Sequence, residues 1–196
     1  MTGSPAQAAV PVVGVAASAG GPAALAAILP SIADLAAPVL IVQHLDPRFV
    51  NDFTDWMARV SPLPVEVPDN GSPLRAGIVY IAAPGVHLKL GVGRRAVLDP
   101  TPAGRHCPSA DELFLSMASH AGRLGIGVIL TGMGDDGAVG LRALHHAGGT
   151  TVVQDRDSSA VYGMPLAAGR LDKADHVLPL NKIAAAVREA VRARTR

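Results

Sequence analysis

A single cysteine, Cys107, serves all 196 residues, so no intrachain disulfide can form and the fold must rest on packing. That cysteine usage fits a reducing compartment. Aromatic residues are equally scarce, at 3%, although 49% of the chain is apolar. The core must therefore be built of Val, Ile, Leu and Ala, which suits a parallel sheet covered by alanine-rich helices. A marked excess of charge of either sign is missing as well. With a net charge of +1 and Arg94-Arg95 as the one local basic cluster, on a turn that reads as solvated, the chain is no electrostatic nucleic-acid binder. No Lys or Arg precedes Arg48, and Gly20-Gly21-Pro22 and Pro30 interrupt the apolar N-terminal stretch. A signal peptide or a membrane span is disfavoured on those grounds, and a cytoplasmic protein without membrane insertion is expected. There is no H-E-x-x-H and no Cys/His ligand spacing, so neither a metal nor a cofactor is expected.

What is present is an alternation of strands and helices. Apolar runs at 10–17, 38–45, 126–131, 150–154 and 176–180 read as buried strands. Helices are expected at 23–35 behind Pro22, at 47–60 behind Pro47, at 113–121, at 138–147 before Gly148-Gly149, at 160–171 with a bend at Pro165, and at 181–194. Ser109 with Glu112 three residues on forms a capping-box pattern. The stretch 62–100 differs: it is punctuated by Pro and Gly, with short extended pieces at 63–67 and 77–82 and a hairpin of 87–90 and 96–99 around Gly91-Val92-Gly93. The expectation is one α/β domain over 1–196, a doubly wound, mainly parallel sheet flanked by helices, with a β-hairpin-rich insertion around 62–100.

Three polar segments each follow an expected strand: Ala17-Ser18-Ala19-Gly20-Gly21-Pro22, Val42-Gln43-His44 and Thr131-Gly132-Met133-Gly134-Asp135-Asp136-Gly137. In a doubly wound sheet, ligands sit beyond the carboxyl ends of the strands, so residues far apart in sequence converge there. A serine hydroxyl becomes a nucleophile when a histidine takes its proton and a carboxylate orients that histidine. Glycines behind the serine let backbone N–H groups approach a developing oxyanion. The order Ser, His, Asp differs from that of the common α/β-hydrolases, and Ala16 replaces the first glycine of their G-x-S-x-G elbow.

Other readings compete. Each segment has a plain structural explanation, as a small-residue turn or a hydrogen-bonded histidine. The loop Gly132–Gly137 matches G-x-G-x-x-G, with Asp155 at the distance expected of a Rossmann-type dinucleotide site. Asp135 and Asp136 would repel a pyrophosphate there, which disfavours that reading. Cys107 beside His106 raises a Cys/His mechanism, but sequence neighbours point apart. His145 and His146 are expected on a solvated helix face, and His87, His120 and His176 as isolated residues.

Taken together, the segments resemble the catalytic domain of the CheB family of chemotaxis protein-glutamate methylesterases. The resemblance runs over essentially the whole chain. It rests on 15–21, Val42-Gln43-His44, Tyr80-Ile81-Ala82-Ala83-Pro84-Gly85 with His87, Arg105-His106 with Pro108-Ser109 and Asp111, 127–137, and Tyr162-Gly163-Met164-Pro165. It implies a Ser18, His44, Asp136 triad, with Asp136 rather than Asp135 as the carboxylate and the backbone N–H of Met133 in the oxyanion site. It implies hydrolysis of glutamate γ-methyl esters on the methylated cytoplasmic region of chemoreceptors, releasing methanol, and glutamine deamidation in many members. The chain departs from the family pattern at Ala17, Ala19 and Cys107, where Gly, Thr and Arg are common. Those departures leave room for a related esterase with a non-receptor substrate. Family members usually carry a phosphorylatable receiver domain, for which 196 residues leave no room, so a separate regulatory or receiver partner is expected.

Overall fold

The computed structural model describes residues 10–101, 105–171 and 174–195. The part of the N-terminal reading that falls on residues 1–9 lies outside the described residues.

Strand β1 (Val12–Ala17) is buried along its whole length. It leads into helix α1 (Gly21–Ile28), which tightens into a 3₁₀ turn at Leu29–Ile32. The expected helix to 35 stops early because Pro30 has no backbone N–H with which to continue an α-helix. Strand β2 (Val39–Gln43), a 3₁₀ turn at Pro47–Phe49 and helix α2 (Val50–Val60) follow. Two short strands, β3 (Val65–Glu66) and β4 (Val79–Ile81), precede the hairpin β5 (His87–Gly91) and β6 (Arg95–Asp99). Then come α3 (Ala110–His120), β7 (Gly125–Ile129), α4 (Ala138–His146), β8 (Thr150–Gln154), α5 (Met164–Leu171), β9 (His176–Leu178) and α6 (Leu180–Arg194).

Seven strands form one sheet in the order β3-β4-β2-β1-β7-β8-β9, and every pairing in it is parallel. The segment 62–100 therefore divides. Its first two extended pieces extend the main sheet beside β2, and only 87–99 forms the antiparallel hairpin. The hairpin turn spans 92–94 rather than 91–93, and Arg94 takes a left-handed conformation (φ 59°). Arg94 is no solvated loop residue: its guanidinium donates to the carbonyls of Val10 and His120, and burial lowers its pKa.

Side chains of each strand alternate between two apolar layers, as a sheet covered on both faces requires. Val13, Val15 and Ala17 face α1, α2 and α6, with Leu25, Met57 and Ile183 among the fully buried contacts. Val12 and Ala16 face α3, α4, α5 and the hairpin, among them Phe114, Met117 and Leu144. Gly14 and Gly127 sit opposite each other on neighbouring strands. A Cβ on Gly14 would lie 2.5 Å from the Met117 sulfur, and one on Gly127 2.5 Å from a Leu141 methyl. These glycines let α3 and α4 approach the sheet closely.

The expected helix 160–171 begins only at Met164. The backbone N–H of Val161 donates to Thr131 Oγ1 (2.9 Å), and the N–H of Gly132 donates to the Val161 carbonyl (3.0 Å). This bridge holds 161–162 extended against β7, so Pro165 falls in the first helical turn, where its missing N–H costs nothing, and causes no bend.

Candidate functional site

The chain winds outward from β1 to β2 and β4 on one side, then returns to place β7 on the other side of β1. The crevice at this switch point is where ligands bind in such sheets. Register makes the strand ends level: Ala17 pairs with Gln43, so Ser18 and His44 are the next residues on adjacent strands. The His44 N–H donates to the Ala17 carbonyl (2.9 Å) and the Ser18 N–H to the Thr131 carbonyl (3.1 Å). Behind the serine the chain must turn into α1 within two residues. Gly20 does this at φ 78°, and a Cβ there would meet Ala160.

Asp136 reaches this edge from the loop between β7 and α4. Its Oδ2 accepts from His44 Nε2 (2.8 Å) and from the Ala110 N–H (2.7 Å). Its Oδ1 accepts from Ser109 Oγ (2.8 Å) and the Asp111 N–H (3.0 Å). Two of these donors are the unpaired first-turn amides of α3, the positive end of the helix. Burial alone would raise the pKa of Asp136. The bonds from His44, Ala110, Asp111 and Ser109 outweigh it and hold the carboxyl at about 2. The carboxylate is thus ionised throughout the ordinary pH range and fixed by four donors.

That fixed carboxylate sets the tautomer of His44. Nε2 carries the proton, because it donates to Asp136. Nδ1 is then the lone-pair nitrogen, buried and without a hydrogen-bond partner among the described residues. This is the reverse of the commoner arrangement, in which Nδ1 meets the carboxylate. The other ring face is covered: His106 stacks flat on His44, centroids 4.4 Å apart and planes 9° off parallel. Ser18, half-buried, makes no hydrogen bond through Oγ among the described residues, so its hydroxyl is uncommitted.

Several further polar residues hold these segments in place. Gln43 is buried and donates through Nε2 to the carbonyls of Ser18 (2.9 Å) and His44 (3.0 Å), tying the two segments together. Thr131 Oγ1 donates to the Ala19 carbonyl (2.9 Å), and Gln154 Oε1 accepts from the Thr131 N–H (2.7 Å). The signal that could have found them is a polar residue at the end of an otherwise apolar strand, where it must bond to backbone or lose about 1–3 kcal/mol. The capping box is only half made. Ser109 Oγ accepts from the Glu112 N–H, but the Glu112 carboxylate turns to Lys89 Nζ (2.7 Å).

The Met133 N–H has no backbone or side-chain acceptor among the described residues, and its side chain is 70% exposed beside the serine turn. A cleft of about 680 Å³ is lined by Asp136, Ser109, His106, Leu115, Val139 and Leu171, among others. Neither Ser18 nor His44 lines it, so it adjoins the polar cluster rather than containing it.

The nucleotide reading of the Gly132–Gly137 loop loses its anion site. Asp111 Oδ1 already accepts from the Gly140 N–H (2.7 Å) in the first turn of α4. A pyrophosphate would meet that carboxylate as well as those of Asp135 and Asp136. Cys107 is exposed, and burial together with the Asp99 charge raises its thiol pKa, away from thiolate character. The His145 side chain is 33% exposed, and its Nδ1 lies 3.5 Å from the Asp175 carboxylate. Among the described residues, no cluster of three or more His, Cys, Asp or Glu could hold a metal ion, and no helix is long and apolar enough to cross a membrane.

Known proteins place this geometry. A family model described as CheB methylesterase matches residues 13–187. A protein-glutamate methylesterase/protein-glutamine glutaminase of Anaeromyxobacter dehalogenans is 47% identical over 191 residues, covering 96% of this chain and 56% of its own. A similarly named protein of Rhizobium meliloti, from its group 3 operon, is 44% identical over 186 residues, covering 94% and 52%. The chain thus spans about half the length of the curated relatives it matches. The crystal structure of the Thermotoga maritima CheB methylesterase catalytic domain superposes with a TM-score of 0.87 at 31% identity, covering 94% of this chain and 98% of that one. With the family model spanning most of the sequence and the whole sheet topology reproduced at that similarity, the chain belongs to the CheB methylesterase family.

Proposed function

We propose that the chain, taken as one catalytic domain over 1–196, hydrolyses glutamate γ-methyl esters on the cytoplasmic region of chemoreceptor-like proteins, releasing methanol. Ser18, His44 and Asp136 act as nucleophile, base and orienting carboxylate. The observation that carries this is the His44 Nε2–Asp136 Oδ2 bond of 2.8 Å. It leaves Nδ1 unprotonated and unpartnered at the strand end level with Ser18.

The chemistry follows from those positions. Ser18 Oγ attacks the ester carbonyl as its proton passes to His44 Nδ1, and the charge that develops on the ring is balanced by Asp136. The carbonyl oxygen becomes an oxyanion, for which the unpaired Met133 N–H is the donor proposed. One such donor is worth roughly 3–4 kcal/mol of barrier. Collapse expels methoxide, which takes the proton from His44 and leaves as methanol. Water, activated by the same ring, then hydrolyses the acyl-enzyme and regenerates Ser18. A glutamine side chain would follow the same path with ammonia as the leaving group; the two relatives are named protein-glutamine glutaminase as well as protein-glutamate methylesterase. No cofactor enters any step. The cytoplasm is the proposed site of the reaction, with a regulatory or receiver unit as its proposed control.

The test is methanol release from a methylated chemoreceptor fragment. Ser18→Ala should reduce the rate by at least about 10³-fold while leaving the unfolding midpoint unchanged, because Ser18 Oγ makes no hydrogen bond among the described residues. Full activity in that variant would end the triad reading.

A further inference from the structure

His87 lies on the hairpin, outside the main sheet, and is 0% exposed. Its Nδ1 accepts from the backbone N–H of Ser109 (3.1 Å). An amide N–H can only donate, so that nitrogen holds the lone pair and the ring proton sits on Nε2. Nε2 is buried with no hydrogen-bond partner among the described residues. A buried, unpaired N–H is a cost that a leucine of similar size would avoid, so packing alone does not account for a histidine here. What only the histidine supplies is an acceptor for Ser109. Ser109 is the residue whose Oγ donates to Asp136 and whose two successors, Ala110 and Asp111, donate their N–H groups to the same carboxylate.

We infer that His87 is a positioning residue for the reaction: through Ser109 it fixes the start of α3, hence Asp136, hence the orientation of His44. This gives the hairpin a part in the chemistry. The inference rests on the triad reading above and can fail separately from it.

The experiment compares three variants of the full chain for methanol release, stability and the low-field proton resonance of His44 Nε2–H on Asp136. His87→Leu removes the acceptor. His87→Asn places an oxygen where Nδ1 stood, and His87→Gln places it where Nε2 stood. The leucine and glutamine variants should lose about tenfold or more in kcat with KM within about twofold, and should lose the low-field resonance. The asparagine variant should keep the resonance and stay within about threefold of the parent kcat. Equal kcat in the parent and the leucine variant, equal kcat in the asparagine and glutamine variants, or a loss confined to KM would overturn the inference. If the leucine variant does not fold, the asparagine–glutamine contrast decides alone. Should Ser18→Ala be inactive while all three His87 variants retain activity and the resonance, the positioning role falls and the triad stands.

Discussion

Replacing Asp136 by Asn would separate the two tasks this carboxylate performs. Its pKa is held at about 2 instead of 3.8, with burial opposing and the four donors prevailing. At roughly 1.4 kcal/mol for each pH unit, that difference amounts to roughly 2–3 kcal/mol of stability. The sign follows from linkage. A carboxyl whose folded pKa lies below its unfolded one stabilises the fold fully above the unfolded value, and that contribution disappears as pH falls through the folded value. Urea unfolding followed by circular dichroism should therefore show the parent losing roughly 2–3 kcal/mol relative to Asp136→Asn between about pH 5 and about pH 2. Carboxyls that do not feel the Asp136 charge cancel in the difference; Asp111, whose pKa that charge raises, adds a smaller change of its own. A difference that stays flat with pH would refute the claim that the donors around Asp136 favour its ionised form. The same variant should lose roughly 10⁴-fold in kcat at neutral pH. An amide facing His44 can donate to Nε2, which moves the ring proton to Nδ1 and blocks the nitrogen that is to accept from Ser18.

Two further outcomes follow from the same cluster. His106→Ala should free the His44 ring and lower kcat about tenfold with little change in KM, while His106→Phe should restore most of it by replacing the flat ring; steady-state kinetics on the methyl ester checks both. Asp111 has its pKa raised, by burial first and by the charges of Asp136 and Asp135, so its ionisation costs stability above that pKa. Asp111→Asn keeps an oxygen for the Gly140 N–H and should unfold at the same temperature or higher near neutral pH, whereas Asp111→Ala should lose about 1 kcal/mol with the cap.

The architecture was legible in the sequence because a parallel sheet buried on both faces leaves valine-rich runs, and because Pro22, Gly148 and Gly149 punctuate them. The short strands Val65–Glu66 and Val79–Ile81 were harder to place. At two and three residues they carry no periodicity, and only pairing beside β2 shows that they belong to the main sheet. The start of α5 was missed because the competing bridge runs from Val161 to Thr131, a contact across 30 residues that local propensity cannot express. At the site, the motifs pointed to Ser18, His44 and Asp136 as a group. The roles of His87, His106 and Gln43 were hidden, since each depends on where a side chain meets another segment: a flat ring contact, a lone amide, a pair of carbonyls.

The two carboxylates at the mouths of α3 and α4 have a further consequence. Asp136, just ahead of α4, closes the start of α3, while Asp111, in the first turn of α3, closes the start of α4. Neither helix can fray at that end without releasing an acid that the other depends on. The pair should open as a single cooperative unit, so the amides of Ala110, Asp111 and Gly140 should exchange with solvent deuterium at one common rate, close to that of global unfolding. An acid drawn from such a clasp sits in a place as rigid as the core, although by sequence it belongs to a glycine-rich loop.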